Sequence, residues 1–320
     1  MNEPSLLLSL WDGLVHPLLR LLLFISVGLL VANFIEALNW TRKIAVVAKP
    51  LTRFGHLSAI TGASFSMAFF SGVAANTMLS EGYEQNKLSK KELVLANLFN
   101  SLPTYFLHLP TTFFITAPLI KGAAVIYVGL TFGAAILRTL AITLLAHFLL
   151  PIPVEQPKAL QEKRTTTMQQ ALMNTWKRFT KRIQKIARFT VPIYILFYFL
   201  NKFGLFDYIE QFISMHFTWL SWLSPKAISI VVLHVAAEFS AGLAAAGAML
   251  ADGSMSTREV ILALLVGNIL SSPVRAIRHQ FPYYAGIFKP ALASQLILFS
   301  QSFRTISIAV MTLLYFIITL

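Results

Sequence analysis

The chain has 320 residues, 56% of them hydrophobic and only 12% charged, with a mean hydropathy of +0.68; an ordinary globular domain is roughly 45–50% apolar and about 25% charged. Twenty-six Lys and Arg against thirteen Asp and Glu leave a net charge of +13, and there is no cysteine. This excludes disulfides, thiolate metal sites and iron–sulfur clusters, and it makes a bilayer, rather than water, the expected solvent.

Met1-Asn-Glu-Pro carries no basic run. Leu18–Leu38 therefore reads as an anchor and not a cleaved signal, close to the about 20 residues that cross a hydrocarbon core about 30 Å thick. Arg42, Lys43, Lys49 and Arg53 follow with no acid, which marks a cytoplasmic linker. Leu57–Leu79, Leu93–Leu119 and Ala123–Leu150 are the next apolar pieces. Between residues 158 and 188, nine basic residues face Glu162 alone, so this segment is also cytoplasmic. Within it, Leu172, Trp176, Phe179, Ile183 and Ile186 recur at helical spacing beside Lys-Arg pairs. That pattern predicts a basic amphipathic helix lying on the leaflet, or a docking surface for another protein. Phe189–Leu205 then approaches spanning length and leads to Asp207 and Glu210 against Lys226 alone, an outside linker. Phe303–Leu320 closes the chain.

The two halves repeat. Met78-Leu-Ser-Glu-Gly82 returns as Met249-Leu-Ala-Asp-Gly253, Leu88–Ala96 as Met255–Ala263, Leu137–Ile142 as Phe303–Ile308, and Pro103 as Pro273, at offsets of 166 to 171 residues. Repeats of this kind are common in membrane carriers. The opposite charge of the two linkers makes the units inverted, which requires an odd number of crossings in each. The expected fold is an all-α polytopic membrane protein of two inverted repeats, each with three transmembrane helices and one re-entrant or broken hairpin. Its parts are a first repeat over 1–157, a basic linker over 158–188 and a second repeat over 189–320, with both termini outside. Leu93–Leu119, interrupted by Pro103, Pro110 and Pro118, is the natural hairpin. Leu57–Leu79, broken at Ser71-Gly72, is the alternative, and parity does not separate them.

Phe70–Leu79 with Leu88–Pro103, and Phe239–Leu250 with Met255–Pro273, resemble the membrane core of the Gate, or nucleoside-recognition domain, family. That family includes the spore maturation membrane proteins and the pore of the bacterial ferrous-iron permease. The resemblance implies a transporter-like core in the bacterial inner membrane. The sequence shows no GTPase domain and no cysteine, which weakens the iron-permease reading.

Ionisable groups at membrane depth are functional candidates by default. Glu92 and Arg138 recur as Glu259 and Arg304, which reads as one structural ion pair per repeat, with gating as the alternative role. Glu238 and His234 lie four residues apart on one helical face, a candidate for ion coupling or for a buried hydrogen bond. Around the prolines, His108 in one repeat and Arg275, Arg278 and His279 in the other suggest an anionic group, or side chains reaching the interface. Ser71, Asn76, Asn97, Asn100, Ser101, Asn268, Ser271 and Ser272 offer donors and acceptors to a polar solute, and also serve as helix-packing glue. Two ligands on one helix do not specify a metal site, and no catalytic motif is present. The expected partners are the bilayer and a small polar or anionic solute, with homo-oligomerisation left open; no cofactor and no nucleic acid is expected.

Overall fold

The computed structural model describes residues 10–16, 18, 19, 22, 23, 26, 27, 30, 48–152, 168–204, 208, 223–236 and 239–320. Most of Leu18–Leu38, Arg42, Lys43, residues 158–167, Asp207, Glu210 and Glu238 lie outside them. The described residues are helical throughout, with no strand. After a π-helical turn at Trp11–Val15 come α1 (Lys49–Phe54), α2 (Ala59–Ala68), α3 (Gly72–Glu84), α4 (Lys90–Phe99), α5 (Ser101–Ile120) and α6 (Ala123–Leu149). Then follow α7 (Met168–Lys202), α8 (Pro225–Ala236), α9 (Phe239–Ala251) and α10 (Thr257–Arg275), a π-helical turn at Ala276–Gln280, α11 (Phe281–Phe288) and α12 (Pro290–Ile318). Among the described residues, three stretches are long and apolar enough to cross a membrane: Ala123–Leu149, Thr257–Phe288 and Pro290–Ile318.

Two compact units form. One comprises Met1–Leu107, Thr139–Ile195 and Tyr283–Leu296; the other comprises His108–Arg138, Leu196–Pro282 and Ile297–Leu320. Each draws on both halves of the sequence.

In the first unit α2 folds back on α3 through Phe69–Ser71, and the Ser64 hydroxyl donates to the Ala75 carbonyl across the pair at 3.1 Å. The two helices have 10 and 13 residues, about 15 and 20 Å long, so neither alone matches the hydrocarbon thickness. A helical hairpin thus forms over most of the alternative segment, Leu57–Leu79. The natural candidate, Leu93–Leu119, instead becomes α4 and α5, interrupted only at Asn100, whose ψ of 1° closes α4. The three prolines lie inside α5 or close to its start, where Pro103 occupies the first turn and its missing N–H would have had no helical partner.

The core of this unit gathers Leu79, Leu88, Leu93 and Ala96 with Ile287, Phe288 and Leu296, and Phe179 and Ile183 of α7 pack against it. The amphipathic stretch predicted to lie on the leaflet therefore spends part of its apolar face on protein. Leu172 and Trp176, nearer its start, remain exposed. With no glycine or proline between Met168 and Arg188, nothing ends the helix there, and it runs on through Pro192 to Lys202.

In the second unit α8 and α9 also pair closely, and a Cβ on Gly242 would lie 2.8 Å from that of His234. The core runs through Ile230, Val231, Leu243, Ile261, Leu264 and Leu265 with Tyr127 and Ile120. α10 passes without a break through Pro273, the counterpart of Pro103 in the sequence repeat. The departure from α geometry comes just after it, in the turn at Ala276–Gln280.

α10 starts with a capping box: the Ser256 side chain accepts from the Glu259 N–H, and the Glu259 carboxylate receives the Ser256 N–H at 2.9 Å. Ser256→Ala is expected to lower the unfolding free energy by about 1 kcal/mol, read from thermal unfolding of the purified chain. An unchanged midpoint would mean that α10 does not depend on its cap.

Candidate functional site

In the first unit the amides form a buried ladder. Asn97 Nδ2 donates to Asn76 Oδ1 at 2.8 Å and to the Tyr284 hydroxyl at 3.3 Å, and Asn76 Nδ2 donates to the Tyr283 hydroxyl. Asn100 Nδ2 donates to Ser64 Oγ at 2.7 Å, while its buried Oδ1 has no hydrogen-bond partner. Asn76 and Asn97 thus bond to each other and to Tyr283 and Tyr284, two members that the sequence reading missed, while Asn100 bonds to Ser64. Ser101 pairs with Thr139 at 3.3 Å. Ser71 is the N-cap of α3, accepting from the Ala74 N–H at 3.1 Å, a role its position before Gly-Val-Ala-Ala makes legible.

The second unit is built around Asn268. Its Nδ2 donates to the Tyr127 hydroxyl at 3.0 Å, and its Oδ1 accepts from Arg275 at 3.5 Å and Arg304 at 3.4 Å. Helical spacing explains the convergence: Asn268, Ser271, Ser272 and Arg275 stand at i, i+3, i+4 and i+7 of α10, one face of the helix. On α12, Gln301 and Arg304 are three residues apart. Ser272 donates to Gln301 at 2.8 Å, and the buried Ser271 hydroxyl has no hydrogen-bond partner among the described residues. The buried Arg138 of α6 donates to Ser307 at 3.0 Å, and Ser307 donates to the Arg304 carbonyl at 2.9 Å. Arg138 and Arg304 sit near the middle of two of the membrane-length helices, where a charge is most costly.

The expected Glu–Arg braces do not describe these contacts. Glu259 caps its own helix, whereas Arg304 meets α10 at Asn268, nine residues further along and about 13 Å away. Glu92 accepts from the Ser58 N–H at 2.8 Å and the Thr61 hydroxyl at 3.0 Å. It serves the N-terminus of α2, where a carboxylate also meets the helix dipole.

His234 is 1% exposed, and neither ring nitrogen has a hydrogen-bond partner among the described residues. Its ring lies 5.2 Å from that of Phe239, which is 6.1 Å from that of Tyr127. A Cβ on Gly267 would come within 2.6 Å of its Nδ1, so glycine there makes the room the imidazole occupies. Glu238, its predicted partner, lies outside the described residues. His108 and His279 are exposed and Arg278 is half-buried, and none of the three joins the Asn268 cluster through a described bond. No group of three or more metal-ligating side chains is found among the described residues.

The fold and this polar cluster define an all-helical protein with three membrane-length helices and ionisable side chains set within them. The chain is 26% identical to "Uncharacterized protein MJ0871" of Methanocaldococcus jannaschii, over 88% of its own length and 87% of the relative's. It is 25% identical to "Uncharacterized protein MJ0880" over 85% and 88%, and 28% identical to "Uncharacterized protein MJ1556" over 92% and 92%, both from the same organism. No family model and no solved structure matches the chain.

Proposed function

We propose that the chain is a polytopic, two-repeat transporter core of the cytoplasmic membrane that moves a small polar or anionic solute, nucleoside-like or an organic anion. Coupling to a proton or sodium ion would run through His234 and Glu238. The observation that carries this reading is the Asn268 hub, because two guanidinium groups converging on one amide within apolar helices are the kind of intramembrane charge that marks a solute or ion path.

Local geometry supports two repeats. Helix starts recur at Ala59 and Pro225, Gly72 and Phe239, Lys90 and Thr257, and Ala123 and Pro290. Left-handed turn residues recur at Asn86 and Gly253 (φ 55° and 71°) and at Lys121 and Lys289 (φ 49° and 68°). All these pairs are separated by 166 to 168 residues. A non-transporting scaffold is the second reading, favoured by the exposed apolar Met168, Leu172, Met173 and Trp176 at the start of α7.

The test is uptake by proteoliposomes of labelled nucleosides and organic anions under imposed proton and sodium gradients. Uptake is expected for at least one class, falling by about tenfold or more in Arg304→Ala, the loss of roughly one charge-assisted contact. Absence of uptake across the panel, with the protein folded, would favour the scaffold.

A further inference from the structure

We infer that the second unit holds an oxoanion site in which Arg275 and Arg304 grip the two oxygens of a carboxylate or phosphate group where they now converge on Asn268. For its role in flux this rests on the transporter reading; as a binding site it stands alone.

Each guanidinium is a planar fork with five donors that matches a two-oxygen anion. Here two forks aim a nitrogen at one neutral oxygen, at 3.4 and 3.5 Å. Those are long contacts, since charge-assisted N–H···O bonds to an anion run about 2.7–2.9 Å. Because both reach the same atom, the two nitrogens are at most about 6.9 Å apart, and their like charges repel. An oxoanion entering between them would relieve that repulsion and shorten both contacts.

Other features are those of a built receptor. Asn268 is pinned by Tyr127, so the acceptor position is fixed before a ligand arrives. Arg275 and Arg304 are half-buried and keep accessible surface. Buried Arg138 reaches the site through Ser307 and adds positive potential without needing to touch the ligand. The Ser271 hydroxyl, buried and without a hydrogen-bond partner, stands on the same helical face as Asn268 and Arg275. The same chemistry could come from a soluble anion or from a lipid headgroup.

The experiment measures the unfolding midpoint of the full chain in phosphatidylcholine nanodiscs at constant ionic strength. Sodium succinate, inorganic phosphate and sodium chloride are titrated, and a parallel series adds phosphatidylglycerol. A saturable rise of several degrees with succinate or phosphate but not chloride is expected, because a ligand of the native state stabilises it. A rise only with phosphatidylglycerol supports the site and assigns the headgroup as its ligand. Arg304→Lys keeps the charge but loses the fork, and should raise the half-saturating concentration about tenfold. Asn268→Asp places a carboxylate between the two arginines. It should keep the unliganded midpoint at or above that of the parent and remove the anion response. A chloride response equal to that of phosphate, or an undiminished response in Asn268→Asp, would overturn the site. An anion shift without uptake in liposomes leaves the site and removes the transport reading; uptake of a neutral solute with no anion shift does the reverse.

Discussion

Adding one methyl group at Gly247 is expected to destabilise the protein by about 2 kcal/mol, although alanine is the better helix former. The Cβ of Gly247→Ala would lie 2.4 Å from the Leu119 carbonyl oxygen and 3.1 Å from its carbon. Both are backbone atoms, so no side chain can swing aside, and α9 must move off the end of α5. Overpacking of this sort costs about 1–3 kcal/mol, and the gain in helix propensity offsets at most about 1 kcal/mol. Gly129 is the control: it lies along an open apolar groove with Leu109 and Phe113, and nothing comes within 4 Å of its Cβ position. Gly129→Ala should leave the midpoint unchanged or raise it. Equal behaviour of the two variants in thermal unfolding would remove the close approach of α9 to α5.

Asn268→Leu should be at least as damaging, about 3 kcal/mol. Leucine keeps the branched skeleton of asparagine but is bulkier, so some overpacking adds to the loss. What is lost is the acceptor of two guanidinium groups and the donor to Tyr127. A hydrogen bond to a charged group contributes about 1.5–3 kcal/mol, and a buried polar atom left unsatisfied costs about 1–3 kcal/mol. Tyr127→Phe removes the other end of the Asn268–Tyr127 bond, so it should cost less in the Asn268→Leu background than in the parent. Additive losses in this double-variant cycle would mean that the hub is not a coupled network.

Much of the helical layout was legible from hydropathy alone. Ala123–Leu150 matches α6 almost to the residue, and Phe303–Leu320 is the second half of α12. Crossing parity treats the two candidate hairpin segments alike, and the pairing of α2 with α3 is a tertiary contact that hydropathy does not encode. Pro273 misled for a physical reason. A proline removes one donor and crowds one carbonyl, but it ends a helix only when the next turn cannot adjust, and here the turn at Ala276–Gln280 departs from α geometry directly after it. Glu92 and Glu259 were read as partners of arginine because each repeat carries one of each. For Glu259 the stronger signal was local, since it stands three residues after Ser256, the spacing of a capping box; Glu92 has the same spacing from Ser89 but its carboxylate turns to the start of α2. Once the carboxylates belong to helix starts, Arg138 and Arg304 become available to a polar site, which a symmetric pairing scheme had hidden. Tyr127 and Gln301 were missed since a lone phenol or amide in an apolar helix carries no periodic signature.

The short paired helices carry an electrical implication. A helix of 13 residues such as α3 or α9 covers about 20 Å of a hydrocarbon core about 30 Å thick. In a membrane, water can follow such a helix to its tip, and the voltage drop then concentrates across the remaining thin septum. One elementary charge moved through 100 mV gains or loses about 2.3 kcal/mol, so an anion handed past Arg275 and Arg304 would sense most of the potential within a short step. Flux through the proposed site should therefore depend steeply on voltage.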